Sequence, residues 1–119
     1  MARTYAKVVG VIVLLVGIAG LFMDQVIVFN SDMLEDIIHI VSGALLAYVG
    51  FMGSDSATKS TVTVIGAVYL LIGIIGFVDS GIFGLMPSGF DIYDNLLHLV
   101  LGALGLFAGM SGRTAATTG

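Results

Sequence analysis

Long apolar runs alternate along the chain with short segments that collect most of the polar and charged residues. Four such runs cover Tyr5–Met23, Leu34–Met52, Thr61–Val78 and Ile92–Met110. Each is close to the ~20 residues that an α-helix needs to cross the hydrocarbon core of a bilayer. The runs are continuous rather than alternating, and backbone polar groups in lipid must be satisfied within their own segment. The pattern therefore predicts an all-α bundle of four transmembrane helices.

Composition supports a membrane protein. Hydrophobic residues make up 58% of the 119 residues and charged residues 10%, which is more apolar than a soluble domain of this size can bury. The lipid bilayer is therefore the expected partner. The absence of cysteine excludes a disulfide framework, a thiolate metal site and a cysteine nucleophile. No basic patch indicates nucleic-acid binding, and no nucleophile elbow, P-loop or H-E-x-x-H motif indicates an enzyme.

The chain repeats one phrase, EDIIHIVSGALL at 35–46 and DNLLHLVLGALG at 94–105. Equivalent histidines in the two copies lie 59 residues apart (98 − 39). Upstream glycines correspond at an offset of 56 residues (66 − 10). We interpret the chain as two tandem copies of one helical hairpin, with three extra residues (59 − 56) in the second copy's internal loop.

The repeat and the charges together predict an orientation. The hairpins, about residues 5–52 and 61–110, form one membrane domain in parallel orientation, and 111–119 is expected to be a flexible tail. The basic residues lie at the termini and in the 53–60 loop, and seven of the eight acids lie at the other side. The positive-inside rule then places both termini and that loop in the cytoplasm of a multi-pass cell-membrane protein. The basic residues are Arg3, Lys7, Lys59 and Arg113.

The first run also has the basic start and apolar core of a cleaved signal peptide. Its glycines correspond to those of the third run, however, so cleavage would remove one helix of the repeated design. We therefore expect this segment to be retained.

Glycines recur at a spacing of seven residues in every run, which places each pair on one helix face. Small residues on such a face let transmembrane helices approach closely. The fourth run adds a GxxxG pattern at Gly105 and Gly109. That pattern is compatible with packing inside the bundle or with a homo-oligomer contact. The predicted packing glycines are Gly10, Gly17, Gly43, Gly50, Gly66, Gly73, Gly102, Gly105 and Gly109.

Two acid–histidine clusters carry the candidate chemistry. In each copy, two polar residues precede the histidine by four and three positions, so all three share one helix face. Such groups can bind a divalent transition metal or relay protons. They also suit a helix start, because Asp32–Glu35 and Asp91–Asp94 resemble capping boxes and acids stabilise a first turn. We favour the helix-start interpretation, with no metal and no cofactor. The clusters are Glu35, Asp36 and His39, and Asp94, Asn95 and His98.

The second copy resembles a family of small four-helix prokaryotic membrane proteins of unknown function. The resemblance rests on a glycine-rich Y-L-L-x-G-x-x-G-F helix and a later D-N-x-L-H-L-x-x-G helix. Asp94, Asn95, His98 and Gly102 match the second motif. In the first copy Asp36 replaces the asparagine, and the match is weaker. The resemblance implies membership of that family and an integral membrane location, and it indicates no particular activity.

These observations favour a non-enzymatic bundle with a structural or partner-binding role and no catalytic residue. The alternative is a small proton, ion or solute transport unit that uses His39 and His98. A conduit needs polar residues through its full depth, whereas polar positions in the second and fourth runs stop near Ser42, and beyond it those runs offer only Tyr48 and glycines. The sequence identifies no protein partner.

Overall fold

The computed structural model describes residues 1–23, 25–26, 29–30, 33–80, 84 and 92–118. Within them lie four α-helices, namely α1 (Ala2–Gly20), α2 (Met33–Met52), α3 (Asp55–Val78) and α4 (Ile92–Thr118). Two short strands, β1 (Gln25–Val26) and β2 (Phe29–Asn30), pair antiparallel between α1 and α2. All four helices are long and apolar enough to cross a bilayer, with the α4 span ending at Ser111. The predicted four-helix, all-α fold is confirmed.

Three helices, α1, α3 and α4, differ by three or more residues at an end from the apolar runs that predicted them. Helix α1 begins at Ala2 and stops at Gly20. Helix α3 begins at Asp55 rather than Thr61, because the Ser54 side chain caps it by accepting a 3.1 Å hydrogen bond from the Ala57 N–H. The predicted 53–60 loop is therefore reduced to two residues.

The third difference concerns the end of the chain. The sequence predicts a flexible tail over 111–119, whereas α4 continues in helical form to Thr118. The apolar run stops at Met110 because the following residues are small and polar, not because the helix ends there.

Glycines set the packing within each hairpin. A Cβ on Gly10 of α1 would lie 2.5 Å from the Ala47 backbone nitrogen of α2, and one on Gly66 of α3 would lie 2.8 Å from the Leu106 nitrogen of α4. The two contacts are equivalent in the repeat, because Gly66 follows Gly10 by 56 residues and Leu106 follows Ala47 by 59 residues. The same match relates Gly43 against Leu14 to Gly102 against Leu70. Each hairpin is therefore held by backbone-to-backbone approach at its glycines.

The GxxxG glycines of α4 pack against other helices of the same chain. Both Gly105 and Gly109 are buried. A Cβ on Gly105 would lie 2.9 Å from the Tyr5 hydroxyl and 3.0 Å from the Gly66 Cα, and one on Gly109 would overlap Thr63. The contacts support intramolecular packing, and an oligomer using this face would have to displace them.

The basic end of the bundle, where α1 and α3 begin, is tied together by Arg3. Its guanidinium donates to the backbone oxygens of Gly50 (2.9 Å) and Gly53 (3.1 Å), and to Asp55 Oδ1 (2.7 Å). These bonds satisfy carbonyl groups at the end of α2, which have no partner within the helix. Arg3 thus holds α1 against the tight connection between α2 and α3.

Candidate functional site

The two histidines meet at the other end of the bundle, where α2 and α4 begin, here called the histidine end. The ring centroids of His39 and His98 are 6.2 Å apart, and the ring planes are tilted by 46°. Their convergence is the main fact that the sequence left open. The two hairpins therefore meet at their repeated segments, 35–46 and 94–105.

Glu35 completes a three-residue group, here called the Glu35–His39–His98 cluster. Glu35 lies one turn before His39, with 3.8 Å between Glu35 Oε1 and His39 Nε2. One ligand atom from each of the three side chains lies within 4.8 Å of the others. Glu35 and His98 are each 4% exposed, so the cluster is largely removed from solvent and lipid.

The other three predicted residues are buried beside this cluster rather than part of it. Asp36, Asp94 and Asn95 are at most 5% exposed. Such burial is unusual for a carboxylate, which needs compensating partners when removed from water. The predicted caps at Asp32 and Asp91 lie outside the described residues.

Among the residues that the structure describes, the buried atoms His39 Nδ1 and Asn95 Oδ1 have no hydrogen-bond partner. Buried polar atoms are normally satisfied, so each leaves hydrogen-bonding capacity for water or a ligand. The helix-start interpretation provides no role for either atom.

Sequence reasoning missed Tyr69, the 2%-exposed side chain on α3 that packs against the site. Its ring centroid lies 5.8 Å from that of His98. Its hydroxyl is hydrogen-bonded to Ser42 Oγ at 2.5 Å, and Ser42 Oγ also donates to the Ile38 carbonyl oxygen at 2.6 Å. A clue was present, because a tyrosine within an apolar run needs a partner for its hydroxyl when buried.

A cavity of about 240 Å³ lies beside the histidines, mainly between α1 and α4. Its lining is aliphatic except for His39, Tyr69 and His98. Ile12, one of its lining residues, is 55% exposed, so the cavity reaches the exposed apolar surface of the bundle. The aliphatic lining residues are Val9, Ile12, Val13, Val16, Leu97 and Leu101.

The bundle is closed by apolar side chains between the histidine end and the basic end. Leu46, Val62 and Ala6 are fully buried there. Among the described side chains, the buried polar groups in this half are the hydroxyls of Tyr5 and Thr58. They donate to the carbonyl oxygens of Leu101 (2.7 Å) and Val49 (2.9 Å), so they are satisfied by backbone rather than by a polar path.

The arrangement therefore combines imidazole and carboxylate groups with an apolar cavity that opens onto the exposed apolar surface of the bundle. Such a site can hydrogen-bond a polar group, exchange a proton or bind a metal ion. No protein-family model matches the sequence, and neither a curated protein nor a solved structure matches it.

Proposed function

We propose that the protein is an integral membrane binding module that takes an amphipathic, lipid-like ligand between α1 and α4. The apolar part of the ligand fills the cavity, and its polar group contacts His39 and His98. This is the partner-binding form of the role expected from the sequence. The protein has no catalytic role in this proposal.

The cavity carries the proposal. Ligand sites are typically concave and mostly apolar, with a few polar groups that fix orientation. This cavity has that character, because aliphatic side chains surround three polar rings. Its volume of about 240 Å³ exceeds the ~150 Å³ of an engineered apolar cavity that binds benzene.

The lateral opening indicates where the ligand comes from. Ile12 and Leu97 line the cavity, and their side chains are 55% and 37% exposed. In a bundle surrounded by lipid, these residues contact acyl chains, so the entrance is reached from within the bilayer. A membrane-dissolved molecule therefore reaches the site without crossing water.

The proposal includes an orientation. The histidine end faces outward, and the basic end, with both termini, faces the cytoplasm of the cell membrane. The support is the position of Arg3, Lys7 and Lys59, which lie near the starts of α1 and α3. We further propose that the hairpins are copies of one unit, because equivalent glycines make equivalent contacts. We also propose membership of the four-helix prokaryotic family, on the basis of the motif containing Asp94, Asn95 and His98.

Transport through the bundle is the second candidate. It is favoured by the buried carboxylates and histidines, since ionisable groups inside membranes commonly serve ion or proton pathways. The closed apolar half weighs against it, because Leu46 and Val62 fill it and its described buried hydroxyls, those of Tyr5 and Thr58, donate to backbone carbonyl oxygens. In vesicles with an internal pH dye, we expect proton flux no faster than in protein-free vesicles. Flux that disappears in a His98→Gln variant would favour transport instead.

The binding proposal is tested by filling the cavity. Val13, which lines it, is 6% exposed, whereas Leu15 is 59% exposed on the same helix. Protein purified in nanodiscs would be extracted and its retained lipid-like molecules measured by mass spectrometry. A molecule enriched over empty nanodiscs should be lost in Val13→Phe and kept in the control Leu15→Phe. Equal retention by the two variants, or no enriched molecule in the unaltered protein, contradicts the proposal.

A further inference from the structure

We propose that Glu35, His39 and His98 form a binding site for a divalent transition metal ion such as Zn²⁺. The metal site borders the cavity of the proposed function but does not depend on a ligand filling it. It assigns a role to the convergence of the two hairpins at the histidine end.

The donor set matches the chemistry of zinc. Two imidazoles and one carboxylate are a common set of three protein ligands, with a fourth position left for water or another ligand. Imidazole is also well suited to copper, nickel and iron, so the set selects a class of metal rather than one element. The cavity reaches both imidazoles, and it is the natural location for the fourth ligand.

The three ligand atoms are farther apart than around a bound metal ion, but side-chain rotation can bring them together. The three ligand atoms lie within 4.8 Å of one another. Around a tetrahedral zinc ion with bonds near 2.0–2.1 Å, ligand atoms are about 3.3 Å apart. Closing the cluster requires shifts of roughly an ångström, which side-chain rotation supplies without moving a helix.

The contact between Glu35 and His39 does not compete strongly with a metal. Glu35 Oε1 and His39 Nε2 are 3.8 Å apart, beyond hydrogen-bond distance. The rings of His39 and His98 are tilted by 46° rather than stacked, so their edges are not locked face to face. Nδ1 of His39 has no partner among the described residues.

The difference between the two copies also supports the assignment. Glu35 and Asp94 occupy equivalent positions, 59 residues apart (94 − 35), and both are buried. Only the glutamate, which is longer by one methylene group, belongs to the cluster. Asp94 lies on the first turn of α4, outside the cluster.

The test is metal titration of the full-length protein in detergent after chelator treatment. Co²⁺ reports its own coordination through visible ligand-field absorption, and Zn²⁺ should displace it. We expect one equivalent of Co²⁺ per chain. Glu35→Gln and His98→Gln should each weaken binding by at least about 100-fold, the upper end of the loss for an outer-shell partner.

Asp94→Asn is the matched control, because it removes a buried carboxylate from the equivalent position outside the cluster. It should change Co²⁺ affinity by less than about tenfold. Circular dichroism and gel filtration establish that each variant is folded. If Glu35→Gln fails to fold, Glu35→Asp, which shortens the acid to the length of Asp94, should weaken binding while keeping the charge.

Two results would overturn the metal site: no ligand-field spectrum in folded, unaltered protein, or binding that survives both Glu35→Gln and His98→Gln. The lipid proposal fails separately, because Val13→Phe adds bulk to the cavity without removing a metal ligand. Metal binding with no retained lipid, or retained lipid with no metal binding, identifies which proposal is wrong.

Discussion

Tyr69 on α3 and Ser42 on α2 share a hydroxyl–hydroxyl hydrogen bond of 2.5 Å across the two hairpins, beside His98. Neither residue is repeated at its equivalent position. Val13 replaces the tyrosine (69 − 56) and Leu101 replaces the serine (42 + 59). Both replacements line the cavity. The junction between α2 and α3 is thus closed by Tyr69, and the equivalent junction, between α1 and α4, contains the cavity.

This hydrogen bond predicts an order of stability for two variants. Ser42→Ala should destabilise the bundle more than Tyr69→Phe. The alanine leaves the buried Tyr69 hydroxyl without its serine partner, at a cost of about 1–3 kcal/mol. The phenylalanine keeps the ring, and Ser42 keeps its bond to the Ile38 carbonyl oxygen, so its cost should be about 0.5–1.5 kcal/mol. Unfolding in mixed detergent micelles, followed by circular dichroism, measures both.

The double variant Ser42→Ala/Tyr69→Phe supplies the control. It leaves no unpaired hydroxyl at this junction, so its loss of stability should be smaller than the sum of the two single losses. Strict additivity, or a larger loss for Tyr69→Phe than for Ser42→Ala, contradicts the assigned bond.

The same comparison predicts that the cavity can be closed by copying the other junction. Val13→Tyr with Leu101→Ser introduces the tyrosine and serine at the equivalent positions. We expect the double variant to be more stable than either single variant, because each new hydroxyl supplies the other's partner. It should also lose any lipid retained in the cavity. Unfolding in detergent measures the stability of the three variants, and mass spectrometry of extracts measures the retained lipid. A double variant that is no more stable than Val13→Tyr alone argues against equivalent junctions.

Packing inside each hairpin was predictable because it depends on local patterns. The spacing of seven residues indicated which glycines share a helix face, and the structure places Gly43 and Gly102 against the neighbouring helix. The start of α3 was not predictable from the apolar run, since Ser54 extends the helix by capping it. Hydropathy reports what enters lipid, and not where the first helical hydrogen bond forms.

The site itself was only partly predictable. The sequence identified both histidines and their acids, but spacing alone does not show how one hairpin meets the other. That arrangement depends on contacts between distant positions, such as Tyr69 with Ser42 and Tyr5 with the Leu101 carbonyl oxygen. The cavity arises because Val13 is too small to fill the equivalent place.

Glycine packing predicts that Gly102→Leu disrupts the bundle more than His98→Ala. Any side chain on Gly102 overlaps the backbone of Leu70, so the helices must separate. Overpacking of this kind typically costs about 1–3 kcal/mol or more. Ala103→Leu, at the exposed neighbouring position, adds bulk towards lipid and should be nearly neutral. Thermal unfolding in detergent compares the three, and a Gly102→Leu variant as stable as Ala103→Leu would falsify the packing.

The proposed orientation is tested with single cysteines, because the chain contains none of its own. Ser56, near the start of α3, and Ser80, just after its end, are both exposed and lie at opposite ends of that helix. On intact cells, a membrane-impermeant maleimide should label Ser80→Cys, while Ser56→Cys should react only after the membrane is opened. This outcome follows from the basic residues that accompany Ser56 at the cytoplasmic side. Labelling of Ser56→Cys alone on intact cells would place the histidine end in the cytoplasm, so that the Glu35–His39–His98 cluster would draw its metal from there.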